Sequence, residues 1–392
     1  MVDPARGGNT WLHPGEWLAG GYTALLEVSA AHLLRSPALP QKKPTIDDVA
    51  AHAGVARTTV SRVLNGGPHV SAGVRERVQR AVAALDYKVN AQARFLAGGG
   101  SRQLMLVHVS AFDAEPNSYY HSGLELGALR ACSELGFTLS THALDPTDPD
   151  HAKRLIALVK SARVEGLVLT PPLSDDVALV QAIMRLDCPV VCISGGPEAR
   201  SLTASIGIDD EAAGYAMGQL LIGLGHRKFG YIDGPEGHVS AGQRLDGVRR
   251  AMGEAGLPKS HIRVERGDFT FRSGVVVCET ILAAHPDFTA LICANDDMAA
   301  GAMHTIHRMG LTIPGDLSVS GFDDTPVSGI VWPPLTTVHQ PIRRLGQRAV
   351  ITLVNTIQSP PLTTVHQTVP FQIVERASTG KPRDRRSPFP LP

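Results

Sequence analysis

Short apolar runs alternate with helical patterns along the whole chain after residue 103. The runs are LMLVHV, FTLSTH, GLVLTP, PVVCIS, FGYIDG, IRVERGD, TALICAN and LSVSGFDD. Amphipathic stretches such as SGLELGALRACSELG and EAAGYAMGQLLIGLG lie between them. Repeated β-α units predict a mostly parallel sheet with helices on both faces. Because there are too many units for one compact sheet, we expect two doubly wound subdomains.

Polar residues follow two of these runs, at Asn295–Asp296 and Asp323–Asp324. In parallel sheets, ligands bind beyond the carboxyl ends of the strands. The sequence therefore predicts a ligand site to which these residues contribute.

The length of 392 residues, with 43% hydrophobic residues, predicts two or three domains with sizeable cores. No run of about 18 apolar residues predicts a membrane span, and the first 40 residues lack the pattern of a secretory signal. We therefore expect a cytoplasmic protein without a membrane partner. Its cysteines fit this, since they are odd in number, form no CxxC motif and lie in apolar contexts: Cys132, Cys188, Cys192, Cys278 and Cys293.

Positive charge is concentrated near the N-terminus. Residues 42–102 contain ten Lys and Arg residues against four acidic ones, an excess of six, although the net charge of the chain is zero. This asymmetry indicates that the basic segment contacts a polyanion and that the rest does not.

Three short helices are predicted within the basic segment. Thr45 is the expected N-cap of the first, which ends at Gly54. The second runs from about residue 56 to 64, and Ser71 is the expected cap of a third, from about residue 72 to 85. Two short helices joined by a glycine turn, with a third closing the core, predict a helix-turn-helix unit.

The second helix has a polar side that contains Arg57, Thr58, Ser61 and Arg62, spans about 140° and has no acidic residue. Arginine can bind guanine through two hydrogen bonds in the major groove, and hydroxyl groups can reach phosphates. The alternative, an arginine pair on a solvated surface, is the commoner case for an isolated helix. The adjacent glycine turn, third helix and local charge favour DNA binding.

The segment TIDDVAAHAGVARTTVSRVLN…VSAGVRERVQRAVAALDYKVNAQARFLAGG resembles the DNA-binding headpiece of the LacI/GalR family of bacterial transcription regulators. The resemblance implies that Arg57, Thr58 and Arg62 read bases. It also implies that four polar residues contact phosphates, namely Thr59, Ser61, Asn65 and Ser71.

The resemblance extends to a linker that folds into a short hinge helix on DNA. It implies that Leu96 enters the minor groove as an apolar wedge, with Asn90 and Ala93 at contacting positions. The alternative for Leu96 is an ordinary apolar linker residue. The glycines at 98–100 raise the cost of folding such a hinge.

The core also resembles the family, through LGHRKFGYIDGP, ANDDMAAGAMHTIHRMGLTIPGDLSVSGFDD, WPPLTTVHQP and ERAST. The resemblance implies the fold of periplasmic sugar-binding proteins, with an effector in the cleft between two subdomains. The implied effector residues are Tyr119, Tyr120, His238, Ser240, Arg244, Phe269, Asn295, Asp323 and Gln340. The alternatives are a turn or N-cap role for Asp323, and plain packing for Phe269 and the tyrosine pair.

The predicted fold class is therefore α/β, an all-α helix-turn-helix headpiece plus a periplasmic-binding-protein-like core of two doubly wound parallel-sheet subdomains. We expect a disordered or non-native extension (1–43), the headpiece (44–89), the hinge (90–101), the core (102–380) and a disordered tail (381–392). Within the core, the first subdomain takes residues 102–208 and 341–362, and the second takes 209–340 and 363–380. The octapeptide PPLTTVHQ occurs twice, at 333–340 and 360–367, and predicts two strands.

No pattern of an enzyme is found, since GxGxxG after a strand, GxxxxGK[ST], HExxH and GxSxG do not occur. His304 and His307 are read as exposed helix residues, and we expect neither a metal nor a cofactor. The prediction is a homodimeric repressor that binds a pseudo-palindromic double-stranded DNA operator and responds to a small sugar-like effector. The rivals are a stand-alone sugar-binding protein of transport and a nonspecific DNA binder.

Overall fold

The computed structural model describes residues 44–64, 70–87, 101–110, 118–145, 148–285, 287–359 and 361–382. The chain divides into two compact units, with the boundary between Gly99 and Gly100. The predicted N-terminal extension, almost all of the hinge and residues 383–392 lie outside the described residues. Within these residues, no helix is both long and apolar enough to cross a membrane.

The first unit contains three described helices, α1 (Ile46–Ala53), α2 (Arg57–Leu64) and α3 (Ala72–Ala84). The hydroxyl of Thr45 accepts a hydrogen bond from the Asp48 amide, and the Asp48 carboxylate accepts one from the Thr45 amide at 2.7 Å. This capping box fixes the start of α1. Gly54 ends the helix with φ +62°, a conformation that costs glycine little. The predicted helix-turn-helix is confirmed.

One apolar cluster holds the three helices together. It is formed by Val49, Ala50, Ala53, Val60, Val63, Val78, Ala81 and Tyr87. Because Val60 and Val63 are buried here, the orientation of α2 is fixed, and its opposite side remains in solvent.

The second unit begins with a six-stranded sheet. Its strands are β1 (Gln103–Val109), β2 (Thr138–Leu144), β3 (Gly166–Leu169), β4 (Val190–Ile193), β5 (Ala204–Gly207) and β11 (His366–Thr368). They lie in the order β11-β5-β4-β3-β1-β2, and all neighbours are parallel. Helices α4 (Ser118–Leu135) and α13 (Ile342–Gln358) cover one face. The other face is covered by α5 (His151–Ala162), α6 (Val177–Met184) and α7 (Pro197–Leu202).

A second sheet lies in the order β7-β6-β8-β9, again with parallel neighbours. Its strands are β6 (Phe229–Asp233), β7 (Ile262–Arg266), β8 (Ala290–Cys293) and β9 (Ser318–Ser320). Its helices are α8 (Asp210–Leu224), α9 (Val239–Glu254), α10 (Phe271–Ala284), α11 (Asp296–Arg308) and α12 (Pro326–Ile330). A short antiparallel pair, β10 (Thr337–His339) and β12 (Gln372–Val374), completes this subdomain. The predicted fold class is confirmed.

Three pairs of helices pack closely because glycines face the partner backbone. A Cβ atom on Gly214 of α8 would lie 1.9 Å from the Arg244 carbonyl oxygen of α9, and one on Gly247 of α9 would lie 2.0 Å from the Glu211 oxygen of α8. Equivalent reciprocal contacts join α4 to α13 and α10 to α11, through Gly127, Gly346, Gly274 and Gly301. No side chain fits at these crossings, so the glycines set the helix separation.

The third crossover between the subdomains falls later than predicted. The boundary near residue 362 is wrong, because His366–Thr368 pairs in parallel with β5 and belongs to the first sheet. The chain returns to the second subdomain between Thr368 and Gln372. The strands β5 and β12 were not predicted, whereas β10 lies within the first copy of PPLTTVHQ and β11 begins at the end of the second.

Candidate nucleic-acid interface and ligand cleft

The solvent side of α2 carries the predicted base-reading residues. Arg57, Thr58 and Arg62 are exposed, whereas Thr59 and Ser61 are half-buried. Since the apolar side of the helix packs inside the headpiece, the two arginines are the long side chains that α2 presents to solvent. The arrangement can place guanidinium groups and hydroxyls in a DNA groove together.

An acidic residue lies beside this surface, which the sequence did not predict. Arg57 Nη1 is 3.5 Å from Asp47 Oδ2 in the first turn of α1, and both side chains are about two-thirds exposed (66% and 64%). The polar side of α2 itself has no acidic residue, as predicted, but Asp47 of α1 contacts Arg57 from the neighbouring helix. An exposed pair is worth about 0–1 kcal/mol, so Arg57 can exchange this partner for another at little cost.

Ser71 occupies the N-cap position of α3 and is exposed, but its side chain forms no capping hydrogen bond. The expected side-chain cap is thus absent. Asn65 and the hinge positions Asn90, Ala93 and Leu96 lie outside the described residues, so their predicted DNA contacts stay predictions.

In the second unit, the central residue of the predicted ligand cleft is the buried Arg244. Arg244 on α9 donates from Nε to Asp210 Oδ1 at 2.8 Å and from Nη1 to the Ala294 carbonyl at 2.7 Å. Its guanidinium also lies 3.6 Å from the ring centroid of Phe322. Burial raises the pKa of Asp210, and the bond to Arg244 opposes this shift. The pair fixes Arg244 at the point where β8 ends.

Asp323 follows β9 and is 4% exposed. Its Oδ1 accepts a hydrogen bond from Gln340 Nε2, so the structure brings these two predicted residues together. Burial raises the pKa of Asp323 to about 7, although Arg244 and Gln340 oppose the shift. The carboxyl group can thus exchange a proton near neutral pH.

His238, Ser240 and Phe269 form a second group. His238 caps α9, since its Nδ1 accepts from the Ala241 amide at 3.4 Å, and the Ser240 hydroxyl donates to the same nitrogen at 3.2 Å. The Phe269 ring meets the imidazole edge-on, with centroids 4.9 Å apart. Burial and the nearby Arg244 charge lower the pKa of His238 to about 3, so it is neutral at physiological pH.

Asn295 holds the backbone of Phe269 in this group in place. Its Oδ1 caps α11 by accepting from the Met298 amide at 3.0 Å, and its Nδ2 donates to the Phe269 carbonyl at 2.9 Å. Both ends of the amide therefore hold the fold, and a ligand contact from Asn295 stays a prediction.

The two predicted tyrosines lie apart. The Tyr120 hydroxyl is hydrogen-bonded to Ser194 and lies within the electrostatic reach of Asp323 and Arg244, so Tyr120 belongs to the cleft. Tyr119 instead lines a surface hollow of about 320 Å³ with Leu126, Leu129 and others. Adjacent helix positions differ by 100°, and in α4 this rotation directs Tyr120 toward Ser194 and Tyr119 toward the hollow.

Two acidic residues in the cleft were missed by the sequence reading. Asp210 directly precedes the predicted helical stretch EAAGYAMGQLLIGLG, and neither Asp210 nor Asp175 was among the predicted site residues. Asp175 Oδ1 accepts from the Gly196 amide at 2.7 Å, and the carboxylate lies against the N–H of Val239 at the start of α9. Burial raises the pKa of Asp175 to about 6. The signal that could have found Asp175 is its position after the predicted strand GLVLTP.

The sequences of known proteins fit this division of the chain. Residues 45–90 match the profile of the bacterial regulatory proteins of the lacI family, and residues 219–379 match a periplasmic binding protein-like domain. The HTH-type transcriptional regulator CelR of Thermobifida fusca is 35% identical over 323 residues, which cover 81% of this chain and 93% of CelR. The chain belongs to the lacI family of bacterial regulatory proteins. It is a DNA-binding transcriptional regulator.

One more regulator and two solved structures are also similar to this lacI-family protein. The transcriptional repressor PurR of Aliivibrio salmonicida is 32% identical over 337 residues, covering 86% of this chain and 99% of PurR. A lac repressor dimer bound to operator and the anti-inducer ONPF superposes with a TM-score of 0.72 at 31% identity, covering 86% of this chain and all of that one. A CelR–cellobiose complex superposes with a TM-score of 0.64 at 32% identity, covering 86% and 99%.

Proposed function

We propose that this lacI-family protein is a homodimeric, cytoplasmic repressor whose affinity for a pseudo-palindromic operator is set by a small sugar-like effector in the core cleft. The observation that carries the proposal is the solvent side of α2, where Arg57, Thr58 and Arg62 are exposed on a helix fixed by its buried valines. The work of this protein is binding and not catalysis.

The base-reading role is tested with Arg62→Ala. Loss of a bidentate contact should weaken operator binding by roughly 1–3 kcal/mol and relax base preference at one position of each half-site. Affinities for a set of single-substitution operators measure this. Arg185→Ala, which removes an exposed arginine from the first core subdomain, is the control for net charge. An equal loss on every sequence would assign Arg62 to a phosphate instead.

Exposed apolar side chains support the homodimer. Ile330 and Trp332 are 79% and 81% exposed, and Phe271 is also exposed in the same subdomain. Leu126 and Leu129 are exposed beside the hollow on α4. Apolar surface of this kind marks protein interfaces, and a twofold dimer pairs with two operator half-sites.

Trp332→Lys tests the dimer. We expect sedimentation equilibrium to show a larger monomer fraction and operator affinity to fall with it. Leu362→Lys alters another exposed apolar residue, in the segment that precedes β11, and should leave the dimer intact. A dimer unaffected by Trp332→Lys would refute this interface.

The effector role rests on the cleft, where Arg244, Asp323 and Gln340 lie at the carboxyl ends of strands, beside aromatic residues. Polar groups of this kind bind hydroxyls, and aromatic faces cover the C–H surface of a sugar. A related regulator, CelR, is solved with cellobiose. Cellobiose is thus the first probe, and it should raise the melting temperature of the protein and change its operator affinity. A protein that binds sugar but no operator would instead be a transport component.

A further inference from the structure

We propose that the core cleft accepts an uncharged or cationic polyol and rejects phosphorylated and carboxylated ones. The inference rests on the proposed effector function of the cleft. It distinguishes neutral sugars and amino sugars from sugar phosphates and sugar acids.

The positively charged side chains of the cleft already bind other groups of the protein. Arg244 is bound to Asp210 and to the Ala294 carbonyl, at 2.8 and 2.7 Å. Arg200 donates from Nε to the Gly195 carbonyl at 2.7 Å and lies within the electrostatic reach of Asp175 and Asp210. These two arginines face three carboxylates, since Asp323 also lies beside Arg244. Both arginines thus already lie beside carboxyl groups of the protein, so an anionic ligand would find no surplus positive charge in this region.

Four helix N-termini at the carboxyl ends of the strands are also occupied. In parallel α/β folds such termini bind phosphate through free backbone N–H groups. Here the Ala212 amide of α8 donates to Asp209, the Ala241 amide of α9 to His238 and the Met298 amide of α11 to Asn295. The Gly196 amide before α7 donates to Asp175. Four termini that could hold a phosphate are thus capped by the protein's own acceptors.

One acceptor of the cleft, Asp175 Oδ2, is buried and has no hydrogen-bond partner within bonding distance among the described residues, although the Val239 N–H lies against the carboxylate. Burial lowers the pKa of His238 to about 3, and it does the same for His121 on α4, which lies within the electrostatic reach of His238. The two imidazoles therefore carry no charge at neutral pH. A hydroxyl or ammonium group of a ligand would supply a donor to Asp175, whereas a phosphate would add acceptors.

The test compares matched ligands on the full-length protein. Glucose, glucosamine and glucose 6-phosphate form one set, and cellobiose and cellobionic acid form another. Thermal shift and calorimetry should show that the tightest ligand is uncharged or amine-bearing, and that its anionic counterpart binds at least tenfold more weakly. The proposal fails if an anionic member binds as tightly as its neutral counterpart, or if no uncharged or amine-bearing member binds. Operator binding, measured on the same preparation without ligand, reports separately on the proposed function.

A charge variant tests whether the carboxylates cause the preference for an uncharged ligand. Asp175→Asn removes a negative charge without changing the side-chain volume, so it should reduce the preference for the neutral ligand several-fold. Asp187→Asn, an exposed change of the same kind in the same subdomain, should leave the preference unchanged. If Asp175→Asn does not fold, Asp323→Asn serves the same purpose. An unchanged preference in the folded variants overturns the electrostatic explanation, as does phosphate binding that Arg200→Gln abolishes.

Discussion

The buried carboxyl of Asp323 should make the core less stable as pH rises. Its pKa is about 7 in the folded protein, against an ordinary value of 3.8, chiefly because burial disfavours the charged form. Between these values the folded state holds a proton that the unfolded state has lost. The free energy of unfolding therefore falls as pH rises from about 4 to about 7, and the loss is complete above pH 7.

Asp323→Asn removes this effect. One pKa unit is worth about 1.4 kcal/mol, so the full loss for Asp323 has an upper limit of about 4 kcal/mol, of which about 3 kcal/mol falls between pH 5 and pH 8. Asparagine tolerates the positive φ of +108° at this position, and its amide oxygen can still accept from Gln340. The free energy of unfolding of Asp323→Asn, measured relative to that of the natural protein, should therefore rise by about 3 kcal/mol between pH 5 and pH 8.

Urea denaturation of the full-length protein, followed by far-UV circular dichroism at pH 5, 6, 7 and 8, measures this difference. Asp324→Asn is the contrasting control. Although burial opposes the shift, bonds from Arg376, His339 and Ser328 lower the pKa of Asp324, so its charge stabilises the fold at neutral pH and is lost as pH falls. Asp324→Asn should destabilise most at pH 7–8. Parallel pH profiles for Asp323→Asn and the natural protein would refute the assignment of a proton to Asp323.

Three further predictions concern glycines and the DNA surface. Gly214→Ala should destabilise the core by about 1–3 kcal/mol or more, because its Cβ would meet backbone at 1.9 Å, whereas Gly223→Ala in the same helix has open space and should be neutral or stabilising in urea denaturation. Gly54→Ala should cost the headpiece about 1–2 kcal/mol in thermal unfolding through its positive φ, while Gly73→Ala, with no close neighbour and no such φ, should stabilise by about 0.4–1 kcal/mol. Asp47→Asn should raise operator affinity up to a few-fold, because it removes an exposed competitor for an arginine of α2; an unchanged affinity would show that the pair does not compete with DNA.

The headpiece could be predicted closely because its signals are local. Thr45, Gly54 and the spacing of Val60 and Val63 fix where the helices begin and end and which side is buried. The Asp47–Arg57 contact could not be predicted in the same way, since it depends on the angle at which α1 and α2 cross.

The cleft was only partly predictable. The strand ends located Asp323 correctly, but Asp210 beside it, and Asp175 near Asp210, follow other strand ends, which the folded chain alone brings together. Sequence reasoning also treated Tyr119 and Tyr120 as a unit. Helical geometry separates them by 100°, and only the packing of α4 determines which one enters the cleft.

The duplicated octapeptide shows why local sequence has this limit. In the first copy, Leu335 is fully buried and Thr337 donates to the buried carboxylate of Asp296 at 2.6 Å. In the second copy, the equivalent Leu362 is fully exposed, and the strand that follows pairs with β5 in the other subdomain. The prediction of two Thr-Thr-Val strands holds for the first copy, which contains β10, but not for the second, of which only His366 and Gln367 belong to a strand. The first copy lies at the edge of β9, whereas the end of the second pairs with β5 next to solvent. Tertiary contacts therefore decide both the burial of the side chains and the extent of the strand, even for identical local sequences.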